Sequence, residues 1–186
     1  MKKHLKYYDL NKEEEICNWL DGIMSEDLII VGVGTDLCIG DCLGPLVGTM
    51  VKEKTNLRVF GSFDNLVHAK NIKSTFEYIW ENHPTEKILV IDASLSGSHN
   101  YYLEDIIMSD SPIRPGWGVG KTLGEVGDYS IKGVVDMSDG YNNLDFTNRK
   151  HRLGLTYGLA KTISEGIIKS YNKVVLGIEN KDIIKV

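Results

Sequence analysis

Two aspartates stand where an α/β chain carries its chemistry. Asp41 lies in the glycine-rich stretch Gly32-Val-Gly-Thr-Asp-Leu-Cys-Ile-Gly-Asp-Cys-Leu-Gly-Pro45, and Asp92 comes directly after the apolar run Ile88-Leu-Val-Ile91. Two carboxyl groups held close together do not both ionise easily, so one of them keeps its proton. Such a pair can act on a water molecule as base and acid, or it can hold a divalent cation. Both residues also have purely structural readings, Asp41 as a cap for the helix that opens near Pro45 and Asp92 as a cap in the loop after a strand.

The remaining candidates cluster around these two. Thr35 and Asp36 share the glycine-rich stretch with Asp41. The stretch is not a dinucleotide fingerprint, because Leu37 stands where the third glycine of G-x-G-x-x-G belongs. Cys38 and Cys42 flank Asp41, but a zinc site needs about four Cys or His ligands and no second pair is evident. A nucleophilic cysteine here has no local histidine partner. Among the five histidines, His68, near Asp64 and Asn65, is the one placed to reach the same crevice. The segment Pro115-Gly-Trp-Gly-Val-Gly-Lys-Thr122 approaches a phosphate-binding loop, yet its first glycine is replaced by Pro115, and Leu123-Gly-Glu-Val-Gly-Asp128 is poor helix. It reads as a glycine-rich border of the crevice, with Gly116, Gly118 and Lys121 as lining residues.

The elements that must position these groups alternate. Residues 11–24 predict a first helix, with Asn11 and Glu14 spaced as a capping box and Ile16, Trp19, Leu20 and Ile23 on one face. Leu28 to Gly34 reads as a strand buried on both faces. A helix opens at Gly44-Pro45, a short strand covers Leu57 to Gly61, and a third helix covers Val67 to Asn82 until His83-Pro84 stops it. Lys87 to Asp92 is again a buried strand. Ser130 to Asp136 reads as a strand that could pair with one near Val119–Glu125. Residues 149–171 predict a long helix, and Lys173 to Ile178 a last strand. Alternation of this kind predicts an α/β fold, a three-layer α/β/α sandwich with a mainly parallel sheet. In such sheets ligands bind outside the carboxyl ends of the strands, where Asp41 and Asp92 are both expected.

Length and charge set the class. With 186 residues the expectation is one domain, in which 1–26 is a helical extension and 27–178 the core. A net charge of −5 disfavours the broad basic face that a nucleic-acid partner requires. The longest clean apolar run, Leu28 to Val33, is too short to span a bilayer, and no apolar segment succeeds the first lysines as in a signal peptide. Three cysteines form no disulfide framework, so a cytoplasmic location is expected.

Five segments in order carry a resemblance: Gly34 to Val47, Val67-His-Ala-Lys-Asn71, Val90-Ile-Asp-Ala93, Pro115 to Lys121, and Ile131-Lys-Gly-Val134. Together they resemble the YyaC family of sporulation proteins over roughly residues 27–170. That family is similar to the germination protease of bacterial spores and to hydrogenase maturation endopeptidases. The resemblance implies a peptidase-like α/β/α sandwich in a sporulating cell or spore, acting on a protein or peptide such as a spore protein. It places the catalytic aspartates at Asp41 and Asp92, and in the hydrogenase branch the same positions bind nickel. It implies no firm cofactor, a divalent metal and a homo-oligomer being left open. Two functions are therefore carried forward: an endopeptidase with an aspartate pair, and a non-catalytic sporulation factor that uses the same fold to bind a protein.

Overall fold

A computed structural model describes residues 1–6, 8–96, 102–114, 124–137 and 153–178. The element order is β1 (Lys2–Leu5), α1 (Lys12–Leu20), β2 (Ile29–Gly32), α2 (Leu43–Lys54), β3 (Arg58–Phe60), α3 (Ile72–Asn82), β4 (Ile88–Ser96), β5 (Ile106–Ser109), β6 (Tyr129–Met137) and α4 (Leu153–Val174). The strands form one sheet in the order β1-β5-β6-β4-β2-β3. The pairs β3–β2, β2–β4 and β4–β6 are parallel, and β5 runs antiparallel to both β6 and β1. The expected mainly parallel α/β/α sandwich is therefore present.

Period-two alternation divides the core between the two faces of the sheet. Ile30, Leu89, Ile91 and Ile131 pack with Ile16 and Leu20 of α1, Val47 and Val51 of α2, and Ile163 and Ile167 of α4. Ile29, Val31, Ile88 and Val90 face the other way, against Ile72, Phe76 and Ile79 of α3. Because both faces are covered, the central strands must be apolar throughout, as their sequences are.

The N-terminal residues are built into this body. β1 closes one sheet edge, and Ile16 and Leu20 are fully buried. Gly166 lets α1 approach α4 closely, since a Cβ there would sit 2.6 Å from the Cβ of Ile16. Lys169–Glu14 and Lys173–Asp21 ion pairs tie the same two helices.

Several local expectations change. Asn11 does precede α1, but in a left-handed conformation (φ 57°) with no side-chain cap; its carbonyl takes the Glu14 and Glu15 N–H groups instead. Asparagine tolerates that conformation better than most residues. The third helix begins at Ile72 rather than Val67, because Val67 is drawn into a parallel bridge with Val33. Lys173 to Ile178 is not a strand. Lys173 and Val174 finish α4, and Leu176 and Ile178 are exposed in the turn beyond it. Its short apolar run does not distinguish a strand from a helix end. The partner of β6, expected near Val119–Glu125, is β5, while Val126 bridges Ile113. Residues 119–123 lie outside the described residues.

Candidate active site

The site is built on close backbone packing at the carboxyl end of β2. A Cβ on Gly32 would lie 2.3 Å from the Gly44 carbonyl oxygen and 2.5 Å from that of Gly61. A Cβ on Gly44 would meet the Val33 carbonyl at 2.2 Å, and one on Gly48 the Gly61 carbonyl at 2.4 Å. Gly61 also has φ +78°, which L side chains rarely adopt. These glycines let the start of α2 and the end of β3 close on the end of β2. Gly34 has the same function one step on, where a Cβ would strike the Asp41 carbonyl at 1.9 Å.

That contact folds the β2–α2 loop back on itself. The Thr35 N–H donates to the Asp41 carbonyl at 3.2 Å, and the Cys42 N–H to the Cys38 carbonyl at 3.0 Å. Asp41 does not cap α2. The cap position belongs to Cys42, with no side-chain hydrogen bond to the helix. The Asp41 carboxyl is thus left for the crevice, and burial pushes it above the ordinary aspartate range, opposed by the Thr35 N–H and by His68.

His68 enters from the other side. The connection from β2 goes to α2 on one face of the sheet, and that from β3 goes to α3 on the opposite face. The strand order reverses between β2 and β4, and the crevice opens there, beyond their carboxyl ends. Residues 66–71 lie along it, held by the Gly34 N–H donating to the Val67 carbonyl at 2.8 Å. The Asn71 side chain accepts from the His68 N–H at 2.8 Å. The Lys70 N–H donates to Nδ1 of His68 at 3.3 Å, so the neutral ring carries its proton on Nε2.

Asp92 approaches from β4, on the far side of β2 from β3. Its preceding residue, Ile91, pairs with Gly32, and the Ile91 carbonyl accepts the Val33 N–H at 2.8 Å. The side chain falls on the α3 face, one residue past Ile91. Burial pushes the Asp92 carboxyl up to about 7; Lys132 pulls it down, the charge of Asp41 raises it, and the Ala93 N–H lowers it. The charge of Asp41 therefore acts on Asp92, and burial raises both carboxyls.

Among the residues expected to line the site, Thr35 and His68 are brought to Asp41. Asp36 is turned to solvent and receives a 3.5 Å hydrogen bond from the Thr35 hydroxyl. Gly116, Gly118 and Lys121 lie outside the described residues. Lys132, not anticipated from sequence, stands in register with Asp92 on the neighbouring strand. Its signal was the Ile131-Lys-Gly-Val134 segment, where a charged residue interrupts an otherwise apolar strand. Gly133 beside it leaves room for Leu43 at the start of α2, which would lie 2.6 Å from a Cβ.

Among the described residues no three or more His, Cys, Asp or Glu side chains converge as a bound ion requires. Cys38 and Cys42 are not joined in a disulfide, and burial raises the Cys42 thiol. Among the described residues no helix is long and apolar enough to cross a membrane.

Comparison with known proteins gives three findings. The family model described as "Protein of unknown function (DUF1256)" matches residues 4–166. The "Uncharacterized protein YyaC" of Bacillus subtilis (strain 168) is 31% identical over 173 residues, covering 90% of this chain and 82% of that protein. Among solved structures, the NiFe hydrogenase maturation protease HycI from Thermococcus kodakarensis KOD1 aligns with a TM-score of 0.41 and 16% identity, over 80% of this chain and 98% of that one. With a family model spanning most of its length and a relative aligned along most of both chains, this chain belongs to the DUF1256 family, together with YyaC.

Proposed function

We propose that the chain is a peptidase in which Asp41 and Asp92 hydrolyse an amide bond with one shared proton. The observation that supports this reading is that Asp41 and Asp92 follow adjacent parallel strands at their carboxyl ends, with both carboxyls raised by burial and the charge of Asp41 acting on Asp92.

The environments divide the roles. Asp92 holds the proton more firmly and is the acid. Asp41, favoured in its charged form by the Thr35 N–H and by His68, is the base. Asp41 takes a proton from water as the water oxygen bonds to the scissile carbonyl carbon. Asp92 gives its proton to the amide nitrogen as the C–N bond breaks. The products are a carboxylic acid and an amine, and the proton on Asp41 returns the pair to one shared proton. The sequence resemblance supports a protein substrate, a spore protein being the first to try.

The test is digestion of small acid-soluble spore proteins between pH 5 and 8, read by intact-mass spectrometry. Discrete fragments from wild type, and none from Asp41→Asn or Asp92→Asn of unchanged fold, are expected. Equal cleavage by both variants would remove the aspartates from the chemistry. Saturable binding without cleavage by any form would favour the protein-binding factor.

A further inference from the structure

We propose that the crevice contains a subsite for an anionic oxygen, with Lys132 as its cation. The inference rests on the peptidase reading for its place in a reaction, but the subsite itself stands on separate observations.

The first is register. β4 and β6 are parallel, with Ile91 opposite Ile131 and Asp92 opposite Lys132. Ile91 and Ile131 both enter the core under α1, α2 and α4, so Asp92 and Lys132 both project to the α3 face. Directly opposed residues in a sheet lie side by side, which puts the lysine next to the acid of the proposed pair.

The second is the absence of a contact partner. Lys132 is half-buried, yet it forms no hydrogen bond or ion pair with any described residue. Other lysines of the molecule do find carboxylates, among them Lys52 with Asp64 at 3.0 Å and Lys87 with Asp128 at 2.9 Å. Lys132 is felt by Asp92 only as a charge at a distance. An ammonium drawn partly out of water needs compensation, and a bound anionic oxygen supplies it.

The third is the charge balance of the crevice. Lys132 stands between Asp92 of β4 and Ile107 of β5, and Asp41 lies beyond Asp92 with His68 beside it. With one proton on the pair there is one negative charge, and it is not in hydrogen-bond contact with the ammonium. An oxyanion formed on a scissile carbonyl would then be met by a cation, as amide hydrolysis requires. The carboxylate at the end of a peptide has the same chemistry.

The experiment uses acetate as the probe, near pH 6, with matched chloride as the ionic-strength control. Backbone amide resonances of the full chain are followed by NMR. Wild type should show saturable shifts confined to Ala93, Lys132, Gly133 and their neighbours. Lys132→Arg should keep them, while Lys132→Met and Lys132→Gln should weaken acetate by about tenfold or more. No saturable shift in wild type, or undiminished binding in the folded Met or Gln variant, would overturn the subsite. Blocked dipeptides then identify the source of the oxygen. Preference for the free acid over its amide assigns a terminal carboxylate, and preference for a phosphinic amide over the plain amide assigns the reaction oxyanion. Asp41→Asn should stop cleavage and retain acetate binding. If wild type cleaves nothing yet binds acetate through Lys132, the peptidase reading fails and the subsite remains.

Discussion

Asp92 and Asp105 are two carboxylates of one sheet in opposite circumstances. Asp105 is fully buried just ahead of β5 and well served. It is 2.7 Å from Nε2 of His4, takes the Tyr102 N–H at 2.9 Å, and has the Lys6 ammonium at 3.8 Å. Those partners come from β1, the residue after it and the turn before β5, so the cluster fastens the N-terminal edge strand to the sheet. Asp92 has the Ala93 N–H, a lysine out of contact range and a second carboxyl nearby. A buried charge whose partners are complete contributes to structure, whereas one left incomplete keeps the capacity to exchange a proton. The comparison separates a carboxylate that fastens the sheet from one that the proposed chemistry would use.

Substitution at the two sites should therefore have opposite consequences. Asp92→Asn and Asp41→Asn are expected to lower cleavage by about a hundredfold to ten-thousandfold in kcat, with the fold intact by circular dichroism. Asp105→Ala is expected to destabilise by about 3–5 kcal/mol in urea titration, because it leaves the His4 and Lys6 side chains without their buried partner. A destabilised Asp92→Asn, or an indifferent Asp105→Ala, would erase the distinction.

The pH dependence sharpens it. The folded-state pKa of Asp92 is raised above its unfolded value, so between about pH 4 and 7 the folded chain holds a proton that the unfolded chain has lost. This contribution to stability is complete below the unfolded pKa and disappears as pH rises through about 7. Asp92→Asn should accordingly be more stable than wild type at pH 8, by about 2–4 kcal/mol, with the difference shrinking toward pH 4. Urea titrations of both forms at the two pH values measure it, and a pH-independent difference would contradict it.

A smaller effect tests the scaffold beneath Asp41. Gly61→Ala puts a Cβ 1.9 Å from the Gly32 carbonyl at φ +78°. It should cost about 1–3 kcal/mol and lower activity by shifting the β2–α2 loop, whereas Gly154→Ala, with open space around its Cβ, should raise stability slightly.

Much of the site was legible in the sequence because its supports are local. Apolar runs that end in Gly32 and Asp92 declare buried parallel strands, and the carboxyl-end rule places both aspartates at one edge. The two antiparallel strands are not legible. Lys2–Leu5 and Ile106–Ser109 are four residues each, and they become strands by pairing with each other and with β6. Periodicity has too few residues to act on there. α3 is shorter than its apolar pattern predicts for a related reason, since Val67 bridges to Val33 rather than adding a helical turn. Lys132 is not legible because its meaning depends on register: a shift of one residue would put it on the other face, away from Asp92.

The coupling of Asp41 to Asp92 is the central claim, and carboxyl carbon NMR reads it directly. In wild type labelled at aspartate, Asp92 should titrate near pH 7 and move to a lower midpoint in Asp41→Asn, where the neighbouring negative charge is gone. An Asp92 carboxyl that titrates near 4, with the same midpoint in Asp41→Asn, would show two independent aspartates and contradict the coupling.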